Sequence, residues 1–395
     1  MPIRKTIWES ATNKINPTSE KKTQSNSIKT MKVNHVISFL NQIAPPAYQE
    51  SYDNSGLIIG DGNAELTGIL VSLDCTEAVI EEAIEKGFNL VVAHHPIVFG
   101  GLRKITGKNY VERTVIKAIK NNISIFAIHT NLDNVKYGVN AKISEKIGLH
   151  NTKILSPKSQ ILKKLTVFTP TEGKEKLLGA LSKAGAGNIG DYSKCSFQTE
   201  GVGTFKPDES ANPHIGEYGK LEMVPESRIE VIFPAYLEGR ILSAMREAHL
   251  YEEVAHYIHL LENDNQDVGS GMIGELAKPM EAKKFLAHLK KAMNLKVIKH
   301  THLLDKPIKT VAVCGGSGGF LLRKAISKKA DIFITADYKY HEFFDADGQI
   351  VIADIGHYES EIFTKDLLKD FLVKEFGEVK IETCEVITNP VEYFK

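Results

Sequence analysis

The chain has no close pair of cysteines: Cys75, Cys195, Cys314 and Cys384 are scattered, with no C-x-x-C among them. That excludes a disulfide framework and a thiolate zinc site, and four free thiols fit a reducing, cytoplasmic compartment. No apolar run approaches the roughly 20 residues that a membrane span needs, so no membrane partner is expected. Charge of neither sign prevails, since Lys+Arg and Asp+Glu both number 49. A net charge of zero gives no whole-protein pull toward nucleic acid, which makes that partner class unfavoured. Tryptophan occurs once, at Trp8, in a stretch that itself lacks hydrophobic periodicity. Residues 1–30 are rich in Ser, Thr, Asn and Lys and have no secretory apolar region. With one arginine, Arg4, and no amphipathic stripe, they read as a disordered tail or an upstream start before Met31.

What remains is a globular composition, 42% hydrophobic and 25% charged. A length of 395 residues predicts more than one core. From Val33 the pattern is regular. Strands are predicted at 69–73, 88–93 and 123–128, alternating with helices at 33–43, 76–86, 110–121 and 139–147. The alternation returns at 310–313, 331–335 and 350–355, with helices at 320–329, 339–345 and 360–376. Such alternation indicates βαβ units and a mostly parallel sheet, here in two lobes. The middle differs. A strand–Pro–helix unit ends at Pro170 and recurs ending at Pro234, and with strands near 196–199 and 254–260 it spells β-α-β-β-α-β, the ferredoxin-like split pattern. The expected organisation is an α/β lobe over 31–160, an inserted ferredoxin-like domain over 161–263 and a second, similar α/β lobe over 264–395. The polar, Gly-rich stretch 263–274 is read as the insert's far boundary.

Three segments run from an apolar strand into metal-ligand chemistry. They are Leu90-Val91-Val92-Ala93-His94-His95-Pro96, Ile125-Phe126-Ala127-Ile128-His129-Thr130-Asn131-Leu132-Asp133, and Ile350-Val351-Ile352-Ala353-Asp354-Ile355-Gly356-His357-Tyr358-Glu359-Ser360-Glu361. In open α/β sheets, ligands bind outside the carboxyl ends of the strands. Adjacent histidines cannot share a face within a strand, but at its end the chain turns and both rings can enter one crevice, each aimed at a different ion. His357 and Glu361, four apart at a helix start, share one face. Each feature alone has a bland reading: surface histidines, a helix-surface pair, a capping aspartate at Asp133. Together they supply five N and O ligands, too few to close two ions, which leaves positions for water or substrate. Three imidazoles disfavour Mg and Ca and leave Zn, Fe, Mn, Ni and Co open. His129 is a candidate ligand, supporting group or proton shuttle.

Weaker candidates lie beside predicted strands. Gly315-Gly316-Ser317-Gly318-Gly319 either cradles phosphate or makes a tight turn. Asp53-Asn54-Ser55, Asp337 and His341 either line the crevice or serve turns. Arg103-Lys104 either steers an anionic substrate or is solvated loop charge. Glu359 is read as solvent-facing or as a first-turn partner of the helix dipole.

Tyr52-Asp53-Asn54-Ser55-Gly56, Ala93-His94-His95-Pro96, His129-Thr130-Asn131-Leu132-Asp133 and Gly356-His357-Tyr358-Glu359-Ser360-Glu361 resemble the NGG-interacting factor three-like proteins, many of which carry the name GTP cyclohydrolase I type 2 homologue. The resemblance covers about 31–395. It implies two divalent metal ions per chain at His94, His95, Asp133, His357 and Glu361, with the Glu361 carboxylate between them. It also implies a core of two similar lobes, a homohexameric ring, and a PII- or CutA-like insert. The activity implied is hydrolytic opening of the guanine imidazole ring of GTP with loss of formate, His129 moving protons and the Gly-rich loop taking the triphosphate. The alternative is a non-enzymatic metal-binding ring, a carrier or regulator.

Overall fold

A computed structural model describes residues 31–394, so the tail expected at 1–30 lies outside the described residues. The chain forms two compact units, one of residues 157–266 and the other of 31–156 with 267–394.

In chain order the strands are β1 (Gly56–Ile59), β2 (Ile69–Ser72), β3 (Leu90–Ala93), β4 (Ser124–Ala127), β5 (His150–Lys158), β6 (Leu162–Pro170), β7 (Phe197–Phe205), β8 (Glu222–Pro234), β9 (His256–Leu261), β10 (Asn265–Met280), β11 (Lys299–His300), β12 (Ile308–Ser317), β13 (Ile332–Ala336), β14 (Val351–Asp354) and β15 (Ile381–Thr383).

In the larger unit each lobe is built on one sheet. The first has the order β1-β4-β3-β2-β15 and the second β11-β14-β13-β12-β10-β5. β2, β3 and β4 are parallel, and so are β12, β13 and β14. Every residue of β2, β3, β4 and β14 is buried, as parallel strands covered on both faces require. The helix Glu77–Lys86 ends where Gly87 turns left-handed, the stop its sequence position signals. In Tyr110–Lys120, Val115 faces the core, whereas Ile119, which the sequence places on the same face, is 55% exposed.

Two strands cross over between the halves of the sequence. β15, from the second half, pairs in parallel with β2, and β5, from the first half, lies beside β10. The stretch 263–274, read from composition as a polar boundary, is mostly the start of the long strand β10, antiparallel to β12. Its glycines serve close approach rather than a linker. A Cβ on Gly274 would lie 3.1 Å from the His150 carbonyl oxygen and 2.9 Å from the Thr152 methyl. Gly271 sits at φ +66°, 3.0 Å from the Val313 carbonyl by the same measure.

The smaller unit runs β6, helix Lys174–Ala184, β7, β8, helix Glu238–Ala248, β9. Its four strands form an antiparallel sheet of order β7-β8-β6-β9, the β-α-β-β-α-β arrangement in which each helix links non-adjacent strands. Leu165, Val167, Ile229, Val231 and Phe233 from the strands and Leu177, Leu181, Ile241 and Met245 from the helices make its separate core.

Candidate metal centre

The sequence-predicted ligands meet inside the larger unit, at the carboxyl ends of β3, β4 and β14. They fall into two groups that share Glu361: His94, Asp133 and Glu361, and His95, His357 and Glu361. A third, overlapping group joins His94 and His95 to His129.

Each imidazole is oriented by a partner on its far nitrogen. His94, fully buried, has Nδ1 2.8 Å from the Ile128 carbonyl oxygen, which fixes the proton there and leaves Nε2 bare. Nε2 then faces Asp133 Oδ1 at 3.6 Å and Glu361 Oε2 at 4.0 Å. Both His94 Nε2 and Asp133 Oδ1 are buried without a hydrogen-bond partner. Buried polar atoms are nearly always satisfied, so two orphans facing each other fit an ion between them.

On the other side His95 Nδ1 bonds Asp74 Oδ1 at 2.7 Å and its Nε2 meets Glu361 Oε2 at 2.9 Å. His357 Nδ1 bonds Asp337 Oδ2 at 2.7 Å, with its Nε2 3.1 Å from the same Glu361 oxygen. The construction repeats in the two lobes. His95 follows β3 and is held by an aspartate following β2, the neighbouring strand; His357 follows β14 and is held by an aspartate following β13. Such carboxylate–histidine pairs fix ring orientation and raise ligand basicity. Asp74 went unnoticed in the sequence. The signal available was its position, an acid just past a buried strand.

The electrostatics are those of carboxylates in want of cations. Burial drives the His94 imidazole down to about 3, against the opposing pull of Glu361. Burial acts the same way on His95 and His357, but there the hydrogen-bonded carboxylates prevail. Asp74 and Glu361 hold His95 at about 9, and Asp337 and Glu361 hold His357 at about 11. Glu361 is kept well below the ordinary glutamate range, its burial outweighed by those two imidazoles. Asp133 is pushed up by burial and by Glu361. A metal ligand nitrogen must be unprotonated, so any ion bound here would compete with protons on His95 and His357.

His129 sits with its ring centroid 5.3 Å from those of His94 and His95. Its Nδ1 bonds Asp53 Oδ1 at 2.7 Å, and Asp53 also accepts bonds from Ser55 Oγ and the Thr130 amide at 3.0 Å each. Asp53 and Ser55 therefore act through His129, while Asn54 donates to the Val98 carbonyl and ties down the following loop. Asp337 is both the partner of His357 and a wall residue of the cavity beside it.

Other weak candidates resolve differently. In the Gly-rich loop the Gly315, Gly316 and Gly318 amides already donate to Asn140 Oδ1, Ser360 Oγ and Thr335 Oγ1 at 2.9–3.0 Å. Gly315–Ser317 prolong β12, and these three amides are already committed within the protein. Gly316, at φ +59°, lets Glu361 approach: a Cβ there would stand 2.6 Å from Glu361 Oε1. His341 is exposed, packs on Tyr340 and Phe344, and lines neither cavity beside the cluster. Arg103 and Lys104 are exposed and line neither. Glu359 is partly buried and takes a bond from Asn389 Nδ2.

A cavity of about 870 Å³ opens onto the cluster from one side and one of about 680 Å³ from the other. The chain is thus a two-lobed α/β protein that gathers groups able to hold metal ions at its strand ends. It belongs to the Duf34/NIF3 (NGG1p interacting factor 3) family, whose model it matches over residues 31–390. It is 38% identical over 371 residues to a Bacillus subtilis protein named GTP cyclohydrolase 1 type 2 homolog, a match spanning 92% of this chain and 99% of the relative. A Halalkalibacterium halodurans protein of the same name is 39% identical over 359 residues, spanning 90% and 96%. The crystal structure of a Bacillus cereus protein related to NIF3 superposes with a TM-score of 0.82 at 36% identity, covering 93% of this chain and all of that one. A Staphylococcus aureus protein, SA1388, superposes with a TM-score of 0.75 at 29% identity, covering 93% of this chain.

Proposed function

We propose that the chain binds two divalent transition-metal ions and acts as a metal-dependent hydrolase on a nucleotide-like ring compound. The observation that carries this is the sharing of Glu361 between two ligand groups, one of which holds the orphaned pair His94 Nε2 and Asp133 Oδ1. The imidazole-rich donor set suits Zn, Fe, Mn, Ni or Co. Bound ions would supply Lewis acidity and lower the pKa of a coordinated water. The chain's own contribution is orientation: Asp74, Asp337 and the Ile128 carbonyl fix the ligand rings. Asp53 takes the Nδ1 proton of His129 in a hydrogen bond, which leaves Nε2 as the nitrogen able to accept a proton in the cavity wall.

The name of the relatives makes GTP the first compound to try. Assembly as a homohexamer belongs to the same proposal, supported by the exposed aromatic side chains of Tyr340 and Phe344, 74% and 68% accessible. Among the described residues no helix is long and apolar enough to cross a membrane.

The test is metal-loaded, tag-free protein assayed for formate release from GTP. Turnover that depends on metal and is lost in His129→Ala with metal content intact supports the reading. A protein loaded with two ions that releases formate from no purine compound would sink the hydrolase reading and leave a non-enzymatic metal-binding ring in its place.

A further inference from the structure

The larger cavity at the cluster differs from a nucleotide-triphosphate site in its charge. Among the described residues its lining includes Glu50, Asp74, Glu77, Asp133 and Glu361, and no lysine or arginine. Glu77 pairs with Arg113 at 2.8 Å, and Asp74 and Glu361 face the imidazoles of His95 and His357. The one loop with the sequence of a phosphate cradle has spent three amides on Asn140, Ser360 and Thr335. Metal ions do not reverse the balance. The four positive charges of two divalent ions are met by the carboxylates of Asp133 and Glu361 in the cluster and of Asp53, Asp74 and Asp337 bonded to its histidines. The loaded site therefore has no net positive charge with which to hold three phosphates, each a strong draw for Arg and Lys.

What the cavity does offer is flat apolar surface. Tyr52, Phe99, Tyr110 and Phe320 line it with their side chains 71%, 56%, 58% and 73% accessible. Phe99 stands edge-on to His129, with ring centroids 5.8 Å apart. The segment between Phe99 and Tyr110 is held by Glu112, which accepts bonds from the Thr106 and Lys108 amides. Phe99 and Tyr110 thus flank a tethered loop beside the ion-binding groups, and Tyr52 and Phe320 join them from other segments. Faces of this kind stack on heterocycles of any sequence or substitution.

Resting on the two-metal reading, we infer that this site takes a planar heteroaromatic ligand at the nucleoside or free-base level and disfavours its polyphosphorylated form. The ring stacks on Phe99 and Tyr110 and reaches the ions edge-first. A triphosphate would have to lie along carboxylates.

The experiment is equilibrium dialysis of the metal-loaded full chain against guanosine, adenosine and cytidine and, separately, their triphosphates. Metal content is read after each run, so that stripping of ions is not taken for binding. Each nucleoside is expected to bind more tightly than its triphosphate, and Phe99→Ala and Tyr110→Ala to weaken nucleoside binding by roughly ten-fold or more with metal content unchanged. Inorganic tripolyphosphate should not compete. Triphosphates that bind more tightly than their nucleosides, competition by tripolyphosphate, or no saturable nucleoside binding to protein holding two ions overturns the inference. Protein that takes up no metal fails the two-metal reading instead, and the elemental analysis tells the two failures apart.

Discussion

Glu361 is the carboxylate on which both ligand groups depend, and Asp133 serves only one. Replacing them should therefore have unequal effects. Glu361→Gln is expected to bring metal content from near two ions per chain to near zero, and Asp133→Asn to near one, by elemental analysis of protein never exposed to chelator or tag. Equal losses in both variants would contradict a shared carboxylate. A subtler residue is Thr388, whose hydroxyl donates to Asp74 Oδ2 at 2.5 Å while Asp74 holds His95. Supporting groups of this kind change metal affinity by about 10–100-fold when lost. Thr388→Val should weaken one of the two ions by an amount in that range in a chelator competition, and Thr388→Ser should restore it. If Val and Ser behave alike, the hydroxyl is not positioning the aspartate. The gathering of these side chains was legible because His, Asp and Glu recur at apolar strand ends. Asp74 and Thr388 were not, because a lone acid or threonine in a loop carries no pattern, and only folding brings residues 74, 95 and 388 together.

Helices and parallel strands followed from periodicity, and the departures have physical causes. β10 escaped detection because its glycines read as a linker, although each close approach to His150 or Val313 forbids a side chain. β15, three residues long, is too short for any period to show. The Gly315–Gly319 sequence looked able to hold phosphate, but its first three residues prolong β12 and side chains of Asn140, Ser360 and Thr335 take the Gly315, Gly316 and Gly318 amides. At this scale the loop before the helix Tyr110–Lys120 gives a test. Asn109 caps that helix by accepting from the Glu112 amide, and the Glu112 carboxylate accepts from Thr106 and Lys108. Those amide bonds hold Glu112 down at about 2 against an ordinary 4.5. A depressed carboxylate contributes stability that is complete above its unfolded pKa and is lost as pH falls through the folded one. Glu112→Gln should therefore be less stable than wild type in urea at pH 7. The gap should narrow as pH falls from about 4.5 toward about 2. Amide exchange at Thr106 and Lys108 should quicken in the variant at neutral pH; unchanged exchange would remove Glu112 as the loop's anchor.

Across the whole molecule the ligands come from both halves of the sequence, yet none comes from the 157–266 unit. The strands leading into and out of that unit are neighbours. The Cβ positions of Gly274 and Gly271 lie 3.1 Å from the His150 carbonyl and 3.4 Å from Leu155 Cδ2, so β5 and β10 run antiparallel and bring residues near 156 and 267 side by side. A two-residue Asn-Gly turn suits two such strands. Replacing 159–264 with that turn is expected to leave a protein that still binds two ions, because β15 and β5 interlock the two lobes independently of the insert. Heating should separate the units' roles. Ligands stabilise only the unit that binds them, in proportion to the logarithm of free ligand over Kd. In the full chain, chelator should lower the calorimetric transition of the two-lobed unit and leave that of the insert, with its own core around Phe233 and Met245, where it was. The shortened chain should show only the metal-sensitive transition. Loss of metal binding on removing 159–264 would mean that the insert shapes the site after all, and a chelator shift shared by both transitions would mean that the two units unfold as one.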